Sequence, residues 1–173
     1  MRAFASQGYR GASIAAIAEE VGLSEPGLLH YFSSKAALLL ATLEFFQRRA
    51  RDEALRLSGG SGGFADVLLA LAAHHEKEPG FIRLLLVLGA ESTDPDHPAH
   101  DWFVERYETV RETFERQFAA DQGAHLLRPE VDTAQLASLA VAAMDGLELQ
   151  FLLSRGQLGI VTPLAAFLRP FYR

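Results

Sequence analysis

Apolar residues recur at helical spacing along most of the chain, and no stretch shows the strict apolar–polar alternation that is typical of strands. The clearest pattern covers residues 13–35, where Gly22 and Leu23 separate two short helical stretches. The positions predicted to face inward are Ile14, Ile17, Ala18, Val21, Leu28 and Phe32. This pattern predicts two short helices joined by a tight turn, with Leu23 closing the corner.

The residues that flank the two stretches are of the types that begin and end helices. Ser13 and Ser24 can each accept a hydrogen bond from an unpaired amide in a first helical turn. Gly22 can take the left-handed conformation that closes a helix. The spacing is that of a helix-turn-helix, whose second helix enters the DNA major groove, and it directs His30 and Tyr31 outward.

The rest of the chain also shows helical periods. A long helix is predicted from about Ser34 to Leu57, followed by a flexible glycine- and serine-rich loop at residues 58–63. Further helices are predicted to begin near Phe64, Phe81, Pro98, Asp132 and Thr162. The predicted fold class is therefore all-α.

Composition and charge narrow the class of protein. The chain of 173 residues has a net charge of −6 and no cysteine, which excludes disulfides, thiolate metal sites and cysteine nucleophiles. Residues 1–57 hold 7 Lys and Arg against 6 Asp and Glu, whereas residues 58–173 hold 9 against 16. The acidic surplus thus lies outside the helix-turn-helix, although its basic surplus is small for a DNA-binding module. We identify no apolar run long enough to span a bilayer and no secretory signal, so we expect a soluble cytoplasmic protein without a membrane partner.

Residues 4–9, 12–14, 17–24 and 28–35, with two leucines following at 38 and 39, resemble the TetR family of bacterial transcriptional repressors. The resemblance implies an N-terminal helix-turn-helix DNA-binding head over residues 1–45. It also implies a C-terminal helical body over residues 46–173 that binds an effector and dimerises. Because the family's first helix begins ten or more residues earlier, we expect the start of that helix to be missing here.

The resemblance further implies which residues contact DNA. These are Ser24, Glu25, Gly27, His30, Tyr31 and Lys35, of which Lys35 can pair with a phosphate. Three positions depart from the family's common residues, since Lys is commoner at Glu25, Thr or Ser at Gly27, and Tyr at Leu29. Gly27 has no side chain to read a base, although it allows close approach of the backbone. Glu25 would repel phosphate or accept from a cytosine amino group.

Two further sets of residues follow from apolar helices in the body. Polar or large groups that could line an effector pocket are His75, Arg83, Trp102, Tyr107, Met144 and Asp145. The resemblance also implies a dimer interface formed by the last two helices, and the apolar residues that would supply it here are Ala143, Gly146, Leu147, Phe151, Leu164, Phe167, Leu168 and Phe171. Gly146 marks this face because a glycine inside a good helix usually serves the close approach of another helix.

The function implied is that of a ligand-responsive regulator, most often a repressor that a small, mostly apolar effector releases from a near-palindromic operator. An activator is an alternative, as is a helical ligand-binding or interaction dimer that no longer reads DNA. A helical-bundle enzyme would need a nucleophile, a base and an orienting group, and the sequence offers no such set. His97 and His100 stand beside acidic residues, but a solvated loop is the simpler interpretation, so we predict no metal and no cofactor.

Overall fold

The structure is a computed structural model that describes residues 2–57 and 63–173. Apart from Gly63, the glycine- and serine-rich loop predicted at 58–63 lies outside the described residues. Within these ranges the chain forms nine α-helices and no strand, which confirms the all-α prediction. The helices are α1 (Arg2–Gly11), α2 (Ile14–Glu20), α3 (Glu25–Tyr31), α4 (Lys35–Leu57), α5 (Phe64–Lys77), α6 (Pro79–Glu91), α7 (His100–Gly123), α8 (Thr133–Leu153) and α9 (Val161–Leu168), followed by a 3-10 turn at Arg169–Phe171.

The chain divides into two compact units, and the first combines Met1–Ala50 with Gly80–Val104. It contains α1, α2, α3, most of α4, and nearly all of α6. Its fully buried side chains include Phe4, Leu39, Leu43, Ile82 and Leu88. Helix α6 therefore belongs to the same unit as the helix-turn-helix, while the domain boundary expected at residue 45 stays a prediction.

The second unit combines Arg51–Pro79 with Glu105–Arg173. Helix α9 packs on both α5 and α8 there. The C-terminal residues return to the start of α5, where the Tyr172 hydroxyl donates to Asp121 at 2.6 Å and accepts from the Ala65 amide at 3.2 Å. Asp121 also accepts from the Phe64 amide at 2.7 Å, so tertiary contacts satisfy the first-turn amides of α5.

Helix α8, with 21 residues, is long and apolar enough to cross a membrane by length and composition alone. The expectation that no apolar run reaches this length is therefore wrong for α8. A core helix of a soluble protein satisfies the same criterion. Here α8 carries Asp145 and Glu148, whose carboxylates bond to side chains of α7 and α5, and this fits a core helix.

Candidate nucleic-acid interface

Helices α2 and α3 pack against each other as the helix-turn-helix pattern predicts. The Ser13 hydroxyl accepts from the Ala16 amide at 3.5 Å, and the Ser24 hydroxyl accepts from the Gly27 amide at 3.1 Å. Both predicted N-caps are thus confirmed. Gly22 takes the left-handed backbone conformation, with φ 72°, that the sequence led us to expect.

Two corner residues of this motif do not face inward as predicted. Val21 is 58% exposed and Leu23 is 41% exposed, whereas Ile17, Ala18 and Leu28 are buried. Helix α2 ends at Glu20, and Val21 is its C-cap with φ −102° and ψ 7°. Because the backbone has already left the helix at Val21, its side chain no longer follows the helical period.

The outer face of α3 is open to solvent in this chain. Glu25 and His30 are exposed and Tyr31 is 71% exposed. The His30 and Tyr31 rings meet edge to face, with their centroids 5.5 Å apart. At the start of the helix the Gly27 amide donates to the Ser24 hydroxyl.

Lys35 begins α4, and its ammonium group has partners inside the protein. Its Nζ donates to the Ala12 carbonyl at 2.9 Å and lies 3.5 Å from the Arg10 carbonyl. It also lies 4.5 Å from the centroid of the Tyr9 ring, within the range of a cation–π contact. The side chain predicted to bind phosphate therefore holds the turn between α1 and α2.

The same turn is held from α6 by a contact that sequence reasoning missed. Gly8 breaks α1 with φ 68° and ψ −174°, a conformation that side chains rarely adopt. The break frees the Tyr9 amide, which donates to the Glu91 carboxylate at 2.6 Å. A Cβ at Gly8 would overlap that carboxylate, so the glycine allows the close approach. The only sequence signal was a glycine near the end of the first predicted helix.

A polar loop follows Glu91 and carries the two histidines weighed as metal ligands. The His97 Nδ1 lies 2.8 Å from the Ser92 hydroxyl and accepts from the Ala99 amide at 3.2 Å, so we assign the proton to Nε2. The His100 Nδ1 lies 2.8 Å from the Ser92 carbonyl. Across the described ranges, no three His, Cys, Asp or Glu side chains cluster in a way that could hold a metal ion.

The buried imidazole of His97 is electrostatically unusual. Burial lowers the pKa of His97, and Arg10 acts in the same direction, while the Glu91 and Asp94 carboxylates oppose the shift. Its Nε2 lies 3.8 Å from Glu91 and has no hydrogen-bond partner in the described part of the chain. The neutral form of this side chain is therefore favoured.

Comparison with known proteins relates the N-terminal residues to a family. The sequence model described as "Bacterial regulatory proteins, tetR family" matches residues 1–42, which include the helix-turn-helix and the capped start of α3. Residues 1–42 therefore carry the sequence of the TetR family's DNA-binding region. The family is described as one of regulatory proteins, which favours a regulator over the helical-bundle enzyme considered above.

Individual relatives agree with this assignment. The chain is 32% identical over 96 residues to the HTH-type transcriptional repressor AcnR of Corynebacterium diphtheriae, an alignment that covers 54% of this chain and 47% of that protein. The match thus spans about half the length of this curated relative.

Solved structures share the fold over nearly the whole chain. A TetR transcriptional regulator from Chloroflexus aurantiacus J-10-FL has 23% identity and a TM-score of 0.84, with 99% of this chain and 91% of that chain covered. A transcriptional regulator from Saccharomonospora viridis, solved in complex with choline, has 24% identity and a TM-score of 0.81, with 97% and 90% covered. At these identities the structures establish the TetR fold alone.

The second unit contains a polar cluster on α5, α7 and α8, in which His75 and Glu148 are buried and Tyr107 and Asp145 are partly buried. The His75 Nδ1 lies 2.5 Å from Glu148, and the Tyr107 hydroxyl donates to Asp145 at 2.7 Å. Burial raises the pKa of Asp145; the Tyr107 hydrogen bond and Arg106 oppose this, and Glu148 adds to it. Burial lowers the pKa of Arg106, a cation that the sequence analysis did not single out.

Four of the six predicted effector residues lie in this second unit. His75, Tyr107 and Asp145 belong to the polar cluster, and Met144 is buried next to Asp145 in sequence. Arg83 and Trp102 lie in the first unit. The Arg83 side chain is exposed, so its charge lies at the protein surface.

The residues expected at a dimer interface fall into two groups. Phe151, Leu164 and Leu168 are buried within this single chain. Ala143, Gly146, Leu147, Phe167 and Phe171 are partly exposed. Three large residues that the sequence analysis missed, Leu139, Leu149 and Leu153, are 51%, 47% and 75% exposed on α8. Extending the helical spacing from Gly146 in both directions would have found them.

Proposed function

We propose that this chain is a homodimeric repressor that reads a near-palindromic operator with α3 and releases it when a small molecule binds the helical body. The observation that carries the proposal is the open face of α3, where His30 and Tyr31 are exposed beside the capped turn at Ser24. An exposed tyrosine hydroxyl and an exposed imidazole N–H can each donate to a phosphate or to a base edge. The named repressor among its relatives supports repression rather than activation.

The proposed DNA contacts come from one helix. Side-chain contacts would involve His30 and Tyr31, whereas Gly27 would allow close approach of the backbone. Glu25 would accept from a base amino group, since it cannot pair with phosphate. Two copies of α3 in a dimer would enter successive major grooves roughly 34 Å apart.

The first experiment measures DNA affinity. Duplexes are selected from a random pool by the wild-type protein, and the best duplex is titrated with wild type and with the double variant His30→Ala, Tyr31→Ala. We expect the double variant to weaken binding by about 1–3 kcal/mol for each interaction with a base that it removes. Gln117→Ala, at an exposed position on α7, is the matched control and should bind as wild type does.

We further propose that α8 supplies the dimer interface. Leu139, Leu149 and Leu153 form an exposed apolar stripe on this helix, and a Cβ at Gly146 would meet nothing within 4 Å. A glycine with open space above it has no packing role inside its own chain. It suits the close approach of a second copy.

The effector is proposed to be a small, mostly apolar molecule held by the body. The second unit offers an apolar interior with a few fixed polar groups, which is the usual character of a small-molecule site. Choline, found in the Saccharomonospora viridis relative, is a suitable first probe. Choline that raises Tm but leaves the affinity for the selected duplex unchanged at saturation would contradict release by this molecule.

A second candidate is a ligand-binding dimer that has lost DNA reading. The observation that favours it is the exposed carboxylate of Glu25 at the first turn of α3, where phosphate would approach. A stable dimer that enriches no duplex at low salt would support this candidate. Either candidate is proposed to act in the cytoplasm.

A further inference from the structure

The segment from the break in α1 at Gly8 to the N-cap of α2, residues 8–13, forms a turn that is held by charged side chains from two distant helices. Lys35, the first residue of α4, contacts the carbonyl side of the turn. Glu91, the last residue of α6, contacts its amide side. We call this arrangement the α1–α2 joint.

Lys35 and Glu91 each carry the charge opposite to the partial charge of the peptide group that they contact. The backbone carbonyls of Arg10 and Ala12 carry partial negative charge and face the Lys35 ammonium. The amide freed by the break at Gly8 carries partial positive charge and faces the Glu91 carboxylate. Hydrogen bonds to a charged partner are stronger than neutral ones, so each contact restricts the turn.

Lys35 has little capacity left for a phosphate. An ammonium group has three N–H donors, and here it faces the Ala12 carbonyl, the Arg10 carbonyl and the Tyr9 ring. Reaching DNA would require Lys35 to give up these partners. The turn would then keep the Glu91 contact but lose the Lys35 contacts.

We propose that Lys35 and Glu91 are positioning residues for DNA reading, and that Lys35 fixes the α1–α2 joint instead of neutralising a phosphate. The turn ends at Ser13, the N-cap of α2, and α2 packs on α3. A fixed joint therefore fixes the direction from which α3 is presented. This inference rests on the proposed function, because it concerns the same DNA contact.

The joint itself is tested without DNA by amide hydrogen exchange. In Lys35→Met and in Glu91→Gln, the amides of Tyr9 and Ala12 should exchange roughly 10-fold faster, the factor expected when a charged hydrogen bond is removed. Amides in the middle of α8 should be unchanged. Arg48→Met is the matched control, since it removes a cation from an exposed position on α4, and it should leave both regions unchanged. Unchanged exchange at Tyr9 and Ala12 in both joint variants overturns the proposal.

The role in reading is tested by the salt dependence of affinity for the selected duplex. If a lysine neutralises a phosphate, its removal lowers the slope of log K against log salt by about 0.9. We expect Lys35→Met to weaken binding about 10-fold with the slope unchanged, as a positioning residue should. A reduced slope with unchanged exchange would identify Lys35 as a phosphate ligand and overturn the proposal.

The variant Glu91→Gln distinguishes the joint from simple charge repulsion, because the two predict different changes in DNA affinity. Removing a negative charge that only repels DNA would strengthen binding or leave it unchanged. The joint predicts weaker binding, because the neutral amide oxygen holds the Tyr9 amide less firmly. Stronger binding by Glu91→Gln overturns the proposal. If wild type binds no duplex at all, the proposed function fails with the reading role, while hydrogen exchange still decides whether the joint exists.

Discussion

At the scale of single residues, Gly8 is the position where the backbone tolerates least change. Its φ of 68° with ψ −174° is rarely open to other residues, and the Glu91 carboxylate fills the space where a Cβ would stand. Gly22 also has a positive φ, 72°, but nothing lies within 4 Å of its Cβ position. Gly8 therefore combines backbone strain with steric overlap, whereas Gly22 shows no such overlap.

We expect Gly8→Ala to be more destabilising than Gly22→Ala. Strain at the positive φ of Gly22 costs about 1–2 kcal/mol for alanine. The φ and ψ of Gly8 lie in a region that is open essentially to glycine alone, and the overlap with Glu91 adds to the cost there. Urea unfolding of both variants measures the difference. Equal losses of unfolding free energy would mean that Glu91 moves aside without cost.

His97 should make folding stability depend on pH. Burial holds the pKa of His97 in the folded state below the usual value near 6.5. At pH values between the folded-state pKa and 6.5, the unfolded chain therefore binds a proton that the folded chain does not. Stability should therefore fall as pH drops below about 6.5, and the fall should be smaller in His97→Asn.

Unfolding free energies at pH 7.5 and 5.5 measure this effect. His125→Asn is the control, because it removes an exposed imidazole from a residue whose φ of 63° asparagine tolerates. A pH dependence that is the same in wild type and His97→Asn would show that His97 does not contribute.

At the scale of helices, the sequence predicted contacts between residues close together in the chain, but not contacts between distant residues. The starts of α2, α3 and α8 follow from Ser13, Ser24 and Asp132, because a capping side chain and its amide partner lie within three residues. The exposure of Val21 was mispredicted because the helical period was continued past the true end of α2. The Lys35 and Glu91 contacts could not be predicted, since their partners are 23 and 82 residues away in sequence.

The start of α5 depends on groups from elsewhere in the chain. Gly63 provides no side-chain cap, and the hydroxyl of Tyr172 and the carboxylate of Asp121 take that role. We expect Tyr172→Phe to cost about 1–2 kcal/mol, because it leaves the Ala65 amide without this acceptor. Tyr31→Phe, which alters a 71% exposed ring, should change the unfolding free energy by less than about 0.5 kcal/mol. Equal effects in thermal unfolding would mean that solvent replaces the Tyr172 bond.

At the scale of the whole molecule, the two faces of α8 have different surroundings. One face carries Met144 and Glu148 into the second unit, and the other carries the exposed leucines. The sequence predicted that α8 would mediate association but also assigned Phe151, Leu164 and Leu168 to the interface. These three are buried within one chain, because α9 folds back on α5 and α8.

We expect Leu149→Glu to convert the proposed dimer to monomers. A carboxylate in the apolar stripe would be buried without a partner on association, which should raise the dimer Kd at least about 10-fold. Light scattering during size-exclusion chromatography measures the mass. Leu55→Glu, at a leucine that is 65% exposed on α4, should remain dimeric. A Leu149→Glu protein that is still dimeric would exclude this stripe as the interface.

The contact between the Tyr9 amide and Glu91 has a consequence for the order of events during protein synthesis. The two residues are 82 apart, and ribosomes add about 5–20 residues per second, so Glu91 is made about 4–16 seconds after Tyr9. By the end of that interval the residues that cap α2 and α3 have been made. Until Glu91 is made, the α1–α2 joint has the Lys35 contact alone. The segment around Tyr9 therefore acquires its final geometry only after Glu91 has been made.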